Sequence, residues 1–219
     1  MIMVTDFSKT NSIINEFVAE LRDADIQRDP LRFRFNLKRL GSAMAVEVSR
    51  SMRFTADAVQ SPLGTATINR LADQPVLATI LRAGLPMHQG VADVFDRAEQ
   101  AFVSACRNYV DDAHTAFEIG IDAVSAPPLD GKVLVVSDPM LATGASLAQV
   151  LNALFASHGR PATVHVLAAI ASQQGVDHLQ RQHPEAHVWV AAVDAELNEK
   201  GYIIPGLGDA GDLAFGSKK

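Results

Sequence analysis

Residues 133–146 read VLVVSDPMLATGAS, and this stretch decides the fold. An apolar run with the composition of a β-strand ends at the carboxylate of Asp138, and residues 143–146 lead into a helical pattern that begins near Leu147. A buried strand of this kind brings its loop to the carboxyl edge of a sheet, where backbone N–H groups and a helix N-terminus bind anions. The stretch therefore predicts a phosphate-binding loop.

Apolar runs typical of buried strands recur on both sides of this loop and alternate with helical patterns. The predicted strands cover residues 75–82, 101–107, 117–124, 133–137, 163–170 and 187–193, and the predicted helices between them cover residues 83–95, 144–157 and 173–182. Alternation of strands and helices requires right-handed crossovers between parallel strands. The pattern predicts an α/β fold with a doubly wound, mainly parallel sheet.

The two ends of the chain have a different character from this core. Apolar residues at helical spacing predict helices at residues 11–24, capped by Thr10 or Asn11, and at residues 30–52, with Pro30 in the first turn. Residues 54–73 contain Ser, Pro and Gly and predict a loop-rich connection with room for a short extended segment.

The last residues, 201–219, are so rich in Gly, Pro and Asp that we expect neither a helix nor an ordinary strand there. We predict one domain over residues 1–219, with N-terminal helices at about 10–53, a core at about 75–193 and a C-terminal tail.

Composition limits the class of protein. The net charge is −6, from 19 basic and 25 acidic residues, which argues against a nucleic-acid partner. The chain shows no signal peptide and no run of roughly 18 apolar residues, so we expect a soluble cytoplasmic protein without a membrane segment.

The single cysteine, Cys106, lies in the apolar run AFVSACR and indicates a buried structural thiol in a reducing compartment. The 7 histidines form no HExxH motif and have no paired cysteines, so no zinc site is expected.

Polar features follow several predicted strands and should meet at one edge of the sheet. They are the Arg82-Ala83-Gly84 turn, the Arg107-Asn108 pair, the loop at residues 138–146 and the glycine-rich tail. Each feature alone has an ordinary structural interpretation, such as a surface charge, a common strand-to-helix turn or a cap. Together they favour a sugar that carries several phosphates, because arginines bind phosphates and a carboxylate accepts from sugar hydroxyls.

Other motifs and charged groups point elsewhere or to no function. Neither GKS/GKT nor GxGxxG is present, so the usual signatures of triphosphate hydrolysis and dinucleotide binding are missing. Basic residues near the start of the second helix are better interpreted as a solvated helix face than as a phosphate or partner surface; they are Arg28, Arg32, Arg34, Lys38 and Arg39. His114 is better interpreted as a solvated loop residue than as a ligand contact.

The motifs DPMLATGAS, ILRAGL and YIIPGLGDAGDLAFGSK resemble those of the uracil phosphoribosyltransferases, a group within the type I phosphoribosyltransferase family. The resemblance covers nearly the whole chain and implies pyrimidine salvage. Ribose 5-phosphate would pass from 5-phosphoribosyl 1-pyrophosphate (PRPP) to N1 of uracil, giving UMP and pyrophosphate.

The resemblance also implies site residues. The residues implied for PRPP are Arg82, Arg107, Asp138, Pro139, Met140, Leu141, Ala142, Thr143, Gly144, Ala145, Ser146 and Asp209. Those implied for uracil are Ile203, Gly208, Asp209 and Ala210, mainly through main-chain groups, and the catalytic roles fall on Asp138, Asp209 and Arg107. Mg²⁺ would bind mainly through PRPP, with no metal ligand set of the protein's own. GTP activates some members, and a homodimer or homotetramer is expected.

This chain departs from the family pattern at three places. Ala145 stands where GGS is more common, Leu213 replaces a basic residue, and residues 108–116 lack the usual acidic-Thr pattern over the cleft. Two alternatives stay open: a non-catalytic nucleotide-sensing or regulatory protein of the same fold, with RNA as one conceivable partner, and the same reaction on another base.

Overall fold

A seven-stranded sheet lies at the centre of the structure, a computed structural model that describes residues 3–109 and 117–217, with side chains for 3–105 and 120–217. The strands are β1 (Val4–Asp6), β2 (Phe54–Ser61), β3 (Gly64–Leu71), β4 (Val76–Leu81), β5 (Glu99–Tyr109), β6 (Phe117–Ser125), β7 (Val133–Leu141), β8 (Thr163–Ser172), β9 (Ala186–Asp194), β10 (Glu196–Leu197) and β11 (Ile203–Ile204). The α-helices are α1 (Ile14–Arg22), α2 (Pro30–Ser49), α3 (Leu85–Val94), α4 (Ala145–His158), α5 (Gln173–Gln182) and α6 (Ala210–Phe215).

The central sheet has the strand order β1-β9-β8-β7-β4-β5-β6. Its strands pair in parallel except for β5 and β6, which are antiparallel. Side chains on one face pack against α1, α2, α3 and the tail, whereas those on the other face pack against α4 and α5. The predicted doubly wound, mainly parallel sheet is thus confirmed.

The N-terminal helices form because their sequences carry both a cap and an apolar face. Asp29 accepts hydrogen bonds from the backbone N–H groups of Leu31 and Arg32, and Pro30 occupies the first turn of α2 as predicted. Leu37 and Met44 of this helix are fully buried against the sheet. The predicted caps of the first helix were wrong, since α1 begins at Ile14 and it is the Ser12 hydroxyl that accepts from the Ile14 backbone N–H, at 3.3 Å.

The basic residues of α2 are paired rather than simply solvated. Arg32 donates to both carboxylate oxygens of Glu20 at 2.6 Å, and Asn36 donates to the same carboxylate at 2.7 Å. The hydrogen bond from Arg32 is the main reason why the pKa of Glu20 falls to about 2. Arg34 donates to the carbonyl oxygen of Ala214 at 2.6 Å and so links α2 to the tail.

Two predictions about irregular segments were wrong. Residues 54–73 form an antiparallel hairpin, β2 with β3, instead of a loop-rich connection. Residues 54–58 and 65–69 do alternate between apolar and polar side chains, but most of the apolar ones are small alanines and nearly every residue is exposed, so the strand signal is weak. The tail contains the short strand β11, which pairs with β10 just before the tail, and the six-residue helix α6, although we expected neither.

A histidine and a tryptophan are buried together near the β1 edge of the sheet. The Trp189 indole donates to His165 Nδ1 at 3.1 Å, and the His187 ring stacks on Trp189 with 4.1 Å between centroids. Burial, aided by the nearby His187, lowers the pKa of His165 to about 4. His165 is therefore neutral in the folded protein at pH 7, where it accepts a hydrogen bond.

We expect acid to weaken the fold through this histidine. Unfolded His165 binds a proton near pH 6.5 while the folded side chain stays neutral down to about pH 4. The free energy of unfolding should therefore fall between these values, by at most about 1.4 kcal/mol per pH unit for this group. Urea unfolding at pH 7, 6 and 5 should show a smaller fall for His165→Gln, which keeps an acceptor for Trp189. Equal slopes in both proteins would contradict this assignment.

Candidate active site

A cleft of about 450 Å³ opens at the carboxyl edge of the sheet, beyond the ends of β4 and β7. The predicted site residues that line it are Arg82, Asp138, Met140, Ala142, Ser146, Gly208, Asp209 and Ala210. Segments that lie far apart in the sequence therefore meet at one place: the turn after β4, the end of β7 with its loop, and the tail.

Some predicted residues do not line this cleft among the described atoms. Pro139, Leu141 and Ile203 are buried, and residues 143–145 are not among the residues that line the cleft. Arg107 lies near the end of β5, opposite Ile119 of β6, but its side chain lies outside the described atoms. His114, and with it the segment 110–116, also lies outside the described residues.

Strand periodicity explains which residues of the phosphate loop face the cleft. The predicted strand end at Ser137 was wrong, because pairing with β8 continues as far as Leu141. Alternate side chains of a strand point to opposite faces. Asp138, Met140 and Ala142 accordingly face the cleft, whereas Pro139 and Leu141 face away from it.

Close packing between β4 and β7 fixes the turn that carries Arg82. The Thr79 hydroxyl donates to the carbonyl oxygen of Ser137 at 2.9 Å, in a site with no exposure to solvent. A Cβ on Gly84 would lie 2.1 Å from the Thr79 hydroxyl oxygen and 2.9 Å from the Ser137 carbonyl oxygen. Only glycine fits there, so this turn keeps a constant distance from the strand that carries Asp138.

The phosphate loop ends in a left-handed residue followed by an open helix N-terminus. Gly144 has φ +78°, and Ala145 is the first residue of α4. The Thr143 hydroxyl accepts from the Ala145 backbone N–H at 3.4 Å, whereas the N–H groups of Ser146 and Leu147 have no hydrogen-bond partner among the described residues and remain available to an anion. Ala145 stands where the family more often has the second glycine of GGS. Because Ala145 lies within the helix, where φ is negative, its methyl group is compatible with the shape of the loop.

A buried serine holds the loop from behind. Ser172 at the end of β8 donates to the carbonyl oxygen of Ala142 at 2.5 Å and accepts from the backbone N–H of Gly175 at 2.8 Å. A Cβ on Gly144 would lie 2.6 Å from the Gly175 carbonyl oxygen. The loop is thus packed directly against the start of α5.

An ion pair and two hydrogen bonds hold the middle of the tail. Arg22 donates to both oxygens of Asp194 at 2.8 Å and to the carbonyl oxygen of Gly206 at 3.0 Å. Asp194 in turn accepts from the backbone N–H of Gly206 at 3.0 Å. This arrangement satisfies both main-chain groups of Gly206 and places Gly208 at the cleft.

The end of the tail is held against Arg82. Asp209 accepts from the backbone N–H of Asp212 at 2.9 Å and so begins α6. Arg82 Nη2 donates to Asp212 Oδ1 at 3.3 Å and to the carbonyl oxygen of Gly216 at 3.0 Å. Arg82 Nε is buried and has no hydrogen-bond partner among the described residues.

Sequence reasoning missed Tyr202 and Asp212, which also line the cleft. Tyr202 directly precedes the tail strand, and an aromatic residue beside a glycine-rich segment is a signal that was available. Asp212 contacts Arg82, which is 130 residues away in the sequence, so no local pattern predicts this contact.

Substitution of Gly144 by alanine should weaken phosphate binding, because the new Cβ would collide with the Gly175 carbonyl oxygen 2.6 Å away. We expect the KM for PRPP to rise at least about tenfold, the equivalent of about 1.4 kcal/mol. Gly131→Ala is the matched control, since Gly131 also has positive φ, +71°, but nothing lies within 4 Å of its Cβ position. Both variants carry the left-handed strain of about 1 kcal/mol, visible in thermal unfolding, but Gly131→Ala should keep the wild-type KM. A normal KM in Gly144→Ala would contradict the role of this loop.

Comparison with known proteins agrees with this geometry. The family model described as Uracil phosphoribosyltransferase matches residues 8–217. A uracil phosphoribosyltransferase of Porphyromonas gingivalis is 48% identical to this chain over 95% of each chain. A uracil phosphoribosyltransferase of Methanothermobacter thermautotrophicus is 40% identical over 94% of this chain and 93% of its own.

Solved structures show the same fold. The AQ2163 protein from Aquifex aeolicus matches with a TM-score of 0.86 and 31% identity over 98% of both chains. An adenine phosphoribosyl transferase from Trypanosoma brucei, solved with AMP, pyrophosphate and ribose-5-phosphate, matches with a TM-score of 0.52 over 89% of this chain and 84% of its own. At 11% identity, that second structure shares the fold alone. Because the family match and the similar relatives span nearly the whole chain, this chain belongs to the uracil phosphoribosyltransferase family.

Proposed function

We infer that the chain catalyses the reaction of its family in pyrimidine salvage: it transfers ribose 5-phosphate from PRPP to N1 of uracil and releases pyrophosphate. The observation that carries this conclusion is the meeting of the phosphate loop, Asp138, Arg82 and the tail in one cleft. Each of these parts of the cleft can bind one chemical group of the two substrates, PRPP and uracil. The roles assigned to individual residues below are proposals that this placement supports.

The loop at the start of α4 suits the 5′-phosphate of PRPP. The N–H groups of Ser146 and Leu147, which have no partner among the described residues, and the helix dipole favour an anion, and Ser146 lines the cleft at this point. Asp138, near the end of β7, faces the same cleft, where it can accept from the ribose hydroxyls. The ribose 5-phosphate half of PRPP is therefore assigned to β7 and α4.

Arg82 suits the pyrophosphate half. Its buried Nε lacks a hydrogen-bond partner among the described residues, a state that is unfavourable by about 1–3 kcal/mol. A pyrophosphate oxygen that accepts from Nε would remove this penalty and add a charge-assisted hydrogen bond. Arg107, on the neighbouring strand β5, is proposed as the second cation.

The tail suits uracil. Gly208 and Ala210 line the cleft, and their main-chain groups can pair with the alternating carbonyl and N–H edge of the base. Asp209 lies between them and faces the ribose side. Ile203 is buried behind the cleft, so its contact with uracil stays a prediction.

The cleft fits Mg²⁺ that arrives with its substrate. Asp138 and Asp209 both line the cleft, but among the described residues no group of three or more His, Cys, Asp or Glu side chains could hold a metal. Mg²⁺ commonly keeps several waters and binds through one or two carboxylates together with substrate phosphates. When bound, it would neutralise charge on the leaving pyrophosphate.

The same residues explain how the transfer is favoured. Departure of pyrophosphate leaves positive charge on C1′ of the ribose, and the Asp138 carboxylate is placed to stabilise it. Arg82 and Arg107 stabilise the negative charge of the leaving group. The tail holds N1 of uracil near C1′, so no covalent intermediate with the enzyme is needed.

The exposed hairpin supports the proposal of a homo-oligomer. β2 and β3 pair only with each other, and a two-stranded hairpin alone is marginally stable in water. Leu63 at its tip is fully exposed and Ile68 is 49% exposed. A second copy of the chain would cover these apolar groups, as a dimer or within a tetramer.

No helix within the described part of the chain is both long and apolar enough to cross a membrane. A cytoplasmic location stays a prediction from the composition.

The decisive test is a pyrophosphate-release assay with PRPP, Mg²⁺ and several bases. Uracil should support turnover, while cytosine and purines should not, and EDTA should stop the reaction until Mg²⁺ is restored in excess. Turnover with another base but not with uracil would favour the alternative substrate. Binding of PRPP without any turnover by the folded protein would favour the regulatory alternative, and parallel reactions with GTP test the expected activation.

Asp138→Asn should lower kcat by about 10²- to 10³-fold while the melting temperature changes little, because the substitution keeps the shape of the side chain but removes its charge. Asp96→Asn is the matched control, since Asp96 is exposed just before β5, at the opposite edge of the sheet. The control should keep wild-type kcat. Comparable kcat in Asp138→Asn and wild type would remove Asp138 from the mechanism.

Ile68→Lys should shift the protein to a smaller species in sedimentation velocity. Lysine at this position faces Asp57 across the hairpin, so the hairpin itself keeps a favourable cross-strand pair. We expect the dissociation constant of the oligomer to rise at least about tenfold, because a charge replaces buried apolar surface. Ile13→Lys on the surface before α1 is the control, since Ile13 is 60% exposed. An unchanged mass for Ile68→Lys would show that the hairpin does not hold the copies together.

A further inference from the structure

The guanidinium group of Arg82 bonds to the tail through one nitrogen and leaves another nitrogen without a partner among the described residues. Its Nη2 atom donates to Asp212 Oδ1 at 3.3 Å and to the Gly216 carbonyl oxygen at 3.0 Å, and both acceptors belong to the tail. Its Nε atom has no hydrogen-bond partner among the described residues. The two hydrogens on Nη2 are thus committed to the tail, whereas Nε remains for an anion.

The start of α6 packs closely against the turn that carries Arg82. A Cβ built on Gly211 would lie 3.8 Å from Ala83 Cβ and 4.0 Å from Arg82 Nη2. Asp212 follows directly, and its backbone N–H is bonded to the carboxylate of Asp209 at 2.9 Å. A shift of the segment 208–210 therefore moves the carboxylate that orients Arg82.

We propose that Asp212 is a positioning residue that couples the binding of pyrophosphate to the binding of uracil through its contact with Arg82. The proposal rests on the function proposed above, in which Arg82 binds pyrophosphate and residues 208–210 bind uracil. Uracil would fix the start of α6, and Asp212 would then hold the planar guanidinium with Nε directed at the anion. By thermodynamic reciprocity, pyrophosphate bound to Arg82 would favour the uracil-binding position of the tail by the same factor.

The size of the coupling follows from the exposure of the ion pair. The Arg82 and Asp212 side chains are 37% and 41% exposed, so solvent screens much of their attraction. Pairs of this kind change equilibria by up to about fivefold. We therefore expect uracil to bind about two- to fivefold more tightly in the presence of saturating pyrophosphate than in its absence.

The test uses uracil with pyrophosphate and Mg²⁺, a pair that binds both halves of the cleft without reacting. Isothermal titration calorimetry of the full chain gives the Kd for uracil with and without pyrophosphate, and the reverse titration must give the same factor. Asp212→Asn should bring this factor close to one. Asp212→Glu, which keeps the charge, should restore part of it.

Asp93→Asn is the matched control, because Asp93 forms an ion pair of similar exposure with Lys38 at 2.8 Å, at the far end of α3. It should keep the wild-type coupling factor. A factor in Asp212→Asn equal to that of the wild type, or a wild-type factor of one in an active enzyme, overturns the inference. If Asp212→Asn does not fold, the comparison of Asp212→Glu with wild type decides, since a changed carboxylate position must alter the factor.

Failure of the proposed function would look different. In that case the wild-type protein would release no pyrophosphate from PRPP with uracil, whatever the result of the binding titrations. An active wild-type enzyme whose Asp212 variants keep full coupling leaves the function intact and refutes only the role of Asp212.

Discussion

The parallel pairing of β4 with β7 is the constraint on which the site depends. The chain leaves β4 through α3 on one face of the sheet and leaves β7 through α4 on the other face. Between two such strands the connecting segments diverge, and a crevice opens at their carboxyl ends. Thr79 lies directly opposite Ser137 where the two strands pair. Arg82 follows Thr79 by three residues and Asp138 follows Ser137 by one, so both side chains come from the same level of the sheet. The cleft is therefore a consequence of topology before any ligand is considered.

The tail reaches this crevice without a regular sheet or a long helix to guide it. Three arginines from distant segments hold its main chain instead: Arg22 at Gly206, Arg34 at Ala214 and Arg82 at Gly216. Hydrogen bonds from a charged donor are stronger than those between neutral groups, typically about 1.5–3 kcal/mol. The Arg22–Asp194 pair is also largely shielded from water. A segment rich in glycine can thus be ordered by its neighbours although its own sequence favours disorder.

The sequence predicts those parts of the fold that depend on local patterns. The apolar runs of β4, β7, β8 and β9 give the buried parallel strands, and the small residues before α4 give the phosphate loop. The hairpin of β2 and β3 escaped prediction because its residues are exposed on both faces and its alternating apolar positions are mostly alanine, which leaves only a weak strand signal. The helix α6 escaped because six residues with one glycine carry too weak a helical signal. Asp212 and Ser172 act through contacts made only after folding, and no spacing rule reveals them.

Ala145 has a consequence for the energetics of ligand capture. A glycine at this position would widen the range of backbone conformations open to the unfolded chain, and it would allow the loop to fluctuate in the free protein. With alanine in the first turn of α4, much of the ordering entropy of the phosphate loop is lost during folding instead of during binding. The anion therefore binds a loop that already has its bound conformation. The methyl group of Ala145, which departs from the common GGS pattern, contributes to this preorganisation.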